Sequence, residues 1–318
     1  MMLRFIAFCL CVTVSLASLP ASTAEPVFPL GSRVGFVPPP GFVASKRFPG
    51  FEDADSRSSI VMATLPPQAY AKLEASITTE ALHQQGLTED KRETLTLANG
   101  KAVLVIGSEQ ENDQKFRKWM LIAQLPEAVA LISVVVPEPA LKTYPDEVIR
   151  ASLSTLAVRA AVPLDEQMAL MPFKLSDLSG LRPVRVLGST GLVLTEGARD
   201  TTTLGDQPIF AVMIGQGGPE QASARATFAS TLLRELADVK GLNIISGDML
   251  RLGGGSLPTH ELQAEAKEAS TDTPLKLVQW VRFGPGTFIR MVGVARADQW
   301  SMAFPHFRAV RDGVVPRD

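Results

Sequence analysis

The chain has 318 residues, of which 46% are hydrophobic and 20% charged, with a formal net charge of −2. That length and apolar content allow two buried cores of ordinary domain size. A near-neutral chain without a clustered basic face is not built to hold nucleic acid.

The first segment reads as a targeting signal. Arg4 and the amino terminus supply positive charge, Phe5 to Leu19 is apolar, and Pro20 breaks the run. Ser22-Thr23-Ala24 then offers small residues at −3 and −1, which places cleavage after Ala24. The apolar run falls short of the roughly 20 residues that span a bilayer. No later segment reaches that length, so the expectation is an exported protein without a membrane span. Cys9 and Cys11 leave with the signal, and Phe8 and Leu10 precede them where a lipoprotein signal needs a small residue. A cysteine-free mature chain without an Asn-x-Ser/Thr sequon favours a bacterial periplasm over a eukaryotic secretory route.

In the first half, Arg33 to Val37 reads as a strand that Pro38-Pro39-Pro40-Gly41 stops. Ser58 to Leu65 is a β-branched and apolar strand, and Gln68 to Gln85 carries apolar residues at helical spacing, with Gly86 as its stop. Four strands follow at Arg92–Leu97, Ala102–Glu109, Phe116–Leu125 and Ala128–Val136, with Asn99-Gly100 marking a hairpin. A helix from Pro145 to Val158 closes the half, its proline in the first turn. The second half repeats the series. Pro183–Leu187 and Leu192–Glu196 flank the Gly188–Gly191 turn, Pro208–Gly215 matches the Ser58 strand, and Pro219 to Val239 reads as the clearest helix. Strands at Leu242–Leu252, Leu257–Lys267, Leu275–Phe283 and Phe288–Ala295 precede a last helix from Asp298 to Arg311.

The halves also share residues. Gly86, Leu95 and Gly100 recur as Gly241, Leu250 and Gly255, 155 positions on, whereas Lys115 and Trp119 recur as Lys276 and Trp280, 161 positions on. A period this long denotes two copies of one domain, not a solenoid, whose repeats run roughly 20–50 residues. The second copy gains six residues between Gly255 and Lys276. Strands joined by short turns must be antiparallel, since a parallel pair needs a crossover of about a dozen residues. The expected architecture is therefore α+β: two tandem domains, each an antiparallel meander covered by helices. The boundaries are a signal over residues 1–24, domains over 25–160 and 171–318, and a connector over 161–170.

The order of these elements, with "VPPPGF" from Val37 to Phe42, Phe48-Pro49-Gly50-Phe51, a strand, a long helix, Gly-Leu and a meander closed by a helix, resembles the PsbP-type fold. That fold includes the extrinsic photosystem II subunit and DcrB-like envelope proteins. The resemblance covers each half, the first more clearly, and implies an accessory or binding role with no cofactor and no catalytic residues to carry over.

The chemistry-bearing clusters are sparse. Glu52, Asp53 and Asp55 sit on an expected loop, but a Ca²⁺ loop counted from Asp53 would need Gly and Glu where Ser58 and Thr64 stand. His83, His260 and His306 show no zinc spacing, so no metal is expected. Gly188-Ser-Thr-Gly191 is not a nucleophile elbow. Gly253-Gly-Gly255 precedes a strand, where a phosphate loop would precede a helix. Trp119 and Trp280, at equivalent positions, read as shared core. The one candidate ligand site is His260, Glu261 and Arg282, on neighbouring strands, where an imidazole, a carboxylate and a guanidinium could hold a small anion; a rim salt bridge is the plainer account.

The favoured function is an exported, periplasmic, non-enzymatic binding or accessory protein with an unidentified protein or envelope partner. The alternatives are a carrier of a small apolar molecule and a hydrolase with a scattered active site. A carrier needs an apolar cavity of several hundred Å³, a binding module an exposed apolar patch.

Overall fold

The computed structural model describes residues 24–251 and 257–317, so the signal segment before Ala24 and the turn at Gly253–Gly255 lie outside the described residues. The chain divides into two compact units. The first takes Val34–Val158 and the residues up to Pro29; the second takes Leu30–Arg33 with Arg159–Asp318.

The first unit runs β1 (Val34–Gly35), β2 (Val43–Ala44), β3 (Gly50–Asp53), β4 (Ser58–Leu65), α1 (Ala69–Ser76), α2 (Thr79–Gln84), β5 (Leu87–Leu97), β6 (Gly100–Glu111), β7 (Gln114–Gln124), β8 (Val129–Pro137), α3 (Asp146–Ser154) and β9 (Ala157–Val158). The second runs α4 (Leu164–Ala169), β10 (Phe173–Leu175), β11 (Arg182–Leu187), β12 (Gly191–Thr195), β13 (Ile209–Gln216), α5 (Arg225–Arg234), β14 (Val239–Arg251), β15 (Pro258–Glu268), β16 (Pro274–Phe283), β17 (Thr287–Arg296), α6 (Trp300–Gly313) and β18 (Val314–Pro316).

Each unit holds a seven-stranded antiparallel sheet, in the order β2-β3-β4-β8-β7-β6-β5 in the first and β11-β12-β13-β17-β16-β15-β14 in the second. The strand order is the same in sequence terms, so the expected duplication and α+β class are present. Helices cover both faces of each sheet. In the first unit Ile149 and Leu153 of α3, four residues apart on one helix face, join Trp119, Leu121 and Ile132 in one core, and Leu82 of α2 joins Val105, Ile122 and Val129 in another. In the second unit Phe307 and Val310 of α6 pack with Trp280 and Phe210, and Ala229 and Leu233 of α5 pack with Leu277, Val281 and Val292. Burial on both faces explains why β8 reads as a nearly unbroken apolar run instead of alternating.

Tertiary context reset several boundaries. The expected single helix over Gln68–Gln85 is two helices, because Ile77 leaves helical geometry and Thr78 caps α2, its Oγ1 accepting from Ala81 N at 3.2 Å. The expected helix over Pro219–Val239 shortens to ten residues in α5. Gly217 turns left-handed at φ 76 before it and Asp238 at φ 64 after it, and Val239 then enters the β14 ladder. The left-handed hairpin geometry falls at Asn112-Asp113, φ 45 and 62, between β6 and β7. At the expected Asn99-Gly100 turn the two loop residues are Ala98 and Asn99, because Gly100 already pairs with Leu97.

Pairing locates the six extra residues. Trp119 lies opposite Ile106 and Trp280 opposite Glu261, so β6 and β15 still correspond at 155 while β7 and β16 correspond at 161. The insertion is therefore the β15–β16 hairpin around Ser270. There Glu268 Oε2 accepts from the backbone and side chains of both Ser270 and Thr271. These donors hold the Glu268 carboxyl well below its ordinary value, at about 2.

Candidate functional site

Paired residues on adjacent strands share a face and successive residues alternate. Thr259 pairs with Arg282, His260 with Val281 and Glu261 with Trp280. The sheet therefore brings Glu261 and Arg282 together on the α6 side and sends His260 to the other side.

On the α6 side the charges satisfy one another. Trp280 Nε1 donates to Glu261 Oε2 at 2.6 Å, and Gln263 Nε2 donates to Glu261 Oε1 at 2.9 Å. Arg311, only 4% exposed, lies 3.7 Å from Glu261, stands 4.9 Å over the Trp280 ring and pairs with Asp312 through two 2.9 Å bonds. Arg282 donates to the carbonyls of Val314 and Arg311 at 2.8 and 3.3 Å. Burial lowers the Arg282 pKa, the Arg311 charge adds to that, and Asp312 opposes it. The arrangement is a clasp that fastens the end of α6 to β15 and β16. His260 is buried, with Nδ1 3.2 Å from the Glu261 carbonyl.

Sequence reasoning passed over the polar groups of the other face. Gln279 is fully buried; its Nε2 donates to Ala229 O at 2.7 Å and its Oε1 accepts from Arg290 Nε at 2.8 Å, while Arg290 donates to Leu232 O at 2.7 Å. Both side chains meet carbonyls of α5, and the cation suits the negative C-terminal end of a helix. The available signal was a lone Gln inside the apolar run Leu275–Phe283. In the first unit, the acidic residues Glu52 and Asp53 end β3 instead of lying on a loop. Asp53 accepts from Tyr144 at 2.8 Å and from Ser56, which lowers its pKa, while burial and that carboxylate push the Tyr144 hydroxyl up to about 12. Among the described residues no group of three His, Cys, Asp or Glu is placed to hold a metal.

Two surface features remain. The first is the outer edge of β14. Of the four edges of the two seven-stranded sheets, β2 has two residues, β11 carries Pro183 with Arg182 and Arg185, and β5 carries five consecutive charges from Glu89 to Glu93. All three are ordinary protections of an edge. β14 carries Lys240, Asp248 and Arg251 but runs uncharged from Leu242 to Gly247, where bulges are its protection. A bulge leaves Ile245 without an opposite residue between Ile244 and Ser246, and Ile245 and Met249 are exposed at 52% and 49%.

The second feature is a cavity of about 410 Å³ in the second unit. Buried Met171, Phe173 and Leu192 form its floor with half-buried Met168, Leu175 and Leu178, and the exposed Asp165, Lys174 and Arg317 complete the wall. It lies beside α4, none of whose residues is fully buried: half-buried Met168 rests on the core and polar clasps hold the helix. Arg159 pairs with Glu166 at 2.7 and 2.5 Å, Gly31 N donates to Glu166 at 2.9 Å, and Arg317 donates to the carbonyls of Ala169 at 2.6 Å and Met168 at 3.4 Å. Among the described residues no helix is long and apolar enough to cross a membrane.

No protein-family model matches the chain, and no curated protein matches it. Solved structures similar to it include cyanobacterial PsbP from Synechocystis sp. PCC 6803, at 14% identity over 46% of this chain and 87% of that chain, TM-score 0.34. LpqN, involved in cell envelope biogenesis of Mycobacterium tuberculosis, is similar at 15% identity over 45% of this chain and 83% of that chain, TM-score 0.35. The immunity protein TplEi of T6SS from Pseudomonas aeruginosa is similar at 10% identity over 93% of this chain and 98% of that chain, TM-score 0.27. The PsbP-type resemblance read from the sequence thus meets solved PsbP and LpqN structures, each over about half of this chain.

Proposed function

We propose that the protein is an exported, non-enzymatic binding protein that engages a protein partner along the outer edge of β14. The observation that carries this reading is the asymmetry of the sheet edges: three are protected by shortness, proline or charge, and the fourth presents uncharged Leu242–Gly247 with Ile245 turned outward. An uncharged edge is a liability for aggregation even where bulges interrupt it, and a strand edge with apolar side chains is also a recognised way to capture an extended partner segment. The matching strand β5 shows that this topology accommodates a charged edge.

The test is capture of periplasmic proteins by the mature chain, by an Ile245→Lys/Met249→Lys variant and by a Thr94→Lys control on β5. A band held by the wild type and the control but lost from the double variant supports the reading. Equal capture by all three overturns the edge assignment, and no specific capture by any overturns the partner.

A further inference from the structure

The cavity beneath α4 has a chemistry of its own. Its floor is part of the second unit's core, since Met171, Phe173 and Leu192 pack with Trp280 and Phe307. The cleft is open to solvent on its charged side, and its apolar floor gains by being covered with an apolar group. At about 410 Å³ it is near the lower end of the roughly 300–1,000 Å³ typical of small-molecule sites, which suits one chain and not two. The exposed wall is charged unevenly, with Lys174 and Arg317 against Asp165. Among the described residues neither cation has an acidic partner, and Arg317 spends its donors on the carbonyls of Met168, Ala169 and Phe173. Two cations against one carboxylate beside an apolar floor fit a molecule with one anionic end and one hydrocarbon tail.

We propose that this cavity binds a single-chain fatty carboxylate, with the tail over Phe173 and Leu192 and the carboxylate at Lys174 and Arg317. Lys174 supplies the mobile charge, and Arg317 both pins the end of α4 and contributes positive potential. The proposal is independent of the β14 edge, which lies on different strands.

Calorimetric titration of the mature chain with decanoate, laurate, dodecanol and dodecyltrimethylammonium tests it. Laurate is expected to bind best. Extending decanoate to laurate should tighten binding about fifteenfold, from about fourfold per methylene. The carboxylate should be favoured over the alcohol about fivefold, the order expected of an exposed ion pair. Lys174→Glu should abolish the preference for laurate while leaving dodecanol unchanged, and Leu178→Trp, which fills the cavity, should weaken both. Equal binding of laurate and dodecanol, or a Lys174→Glu variant that keeps the preference, overturns the anion assignment. Absence of binding by every chain, or binding that Leu178→Trp leaves intact, overturns the cavity as a site.

Discussion

Trp119 and Trp280 occupy equivalent strands and are both fully buried, yet their indole N–H groups differ. Trp280 Nε1 has Glu261 at 2.6 Å, whereas Trp119 Nε1 is buried without a partner among the described residues, because Ile106 stands where the second unit has Glu261. Replacing each with Phe removes a similar volume from a similar place, so the packing costs are comparable. The polar costs have opposite sign. Trp280→Phe strips a donor from a carboxylate, a bond of about 1.5–3 kcal/mol, and Trp119→Phe deletes an unsatisfied buried donor, which relieves a desolvation cost of about 1–3 kcal/mol. The expected gap, taken conservatively, is about 2–4 kcal/mol, with Trp280→Phe the more damaging. Native-state hydrogen exchange of the amides in β7 and in β16 reads each unit separately. A unit of this size should show the gap as roughly 4–16 °C in its melting temperature. Equal losses, or a greater loss from Trp119→Phe, would refute the argument from Glu261.

The hairpin insertion gives a pH prediction. Glu268 is held ionised by the hydroxyl and backbone donors of Thr271 and Ser270 and titrates at about 2 in the fold against an ordinary 4.5. Its contribution is therefore complete above pH 4.5 and is lost as pH falls from 4.5 toward 2. Glu268→Gln should flatten the acid limb of the stability profile in that window and leave the neutral-to-basic limb unchanged, as followed by circular dichroism in urea. At Gly293 on β17, an added Cβ would lie 2.5 Å from the Phe307 ring. Gly293→Ala should cost about 1–3 kcal/mol by overpacking, and a second change, Phe307→Leu, should recover part of it if the clash is the cause.

Much of the scaffold was legible because it rests on period and punctuation. Four apolar runs with short turns force an antiparallel meander, and the constant 155 separation announces its second copy. What was not legible depends on distant partners. Nothing local says that α5 begins at Arg225, since the Gly217 turn and the β14 ladder decide it. The cavity joins Met168 to Leu192 and Arg317, which no sequence window contains. The separation of His260 from Arg282 is a different case. His260 and Glu261 are neighbours on a strand, so the pleat alone requires them to face opposite ways. Glu261 and Arg282 do meet, but Arg311, 29 residues beyond Arg282, turns the pair into a clasp.

The two copies share what a sheet needs in order to exist and differ in what faces outward. Equivalent tryptophans sit under equivalent C-terminal helices, and identical strand orders put a core at the same place in each unit. Against that constancy, β5 carries the charges Glu89–Glu93 while β14 is uncharged over Leu242–Gly247, and α4, which lays half-buried Met168 on the second core, is tied down by Arg159, Glu166 and Arg317. Neither difference helps the second unit fold. An uncharged edge invites aggregation, and an apolar floor left open to solvent forfeits burial. The edge charged in the first copy is uncharged over Leu242–Gly247 in the second, and the binding proposed above rests on the second copy for that reason. The partner-capture and fatty-carboxylate experiments are accordingly both directed there.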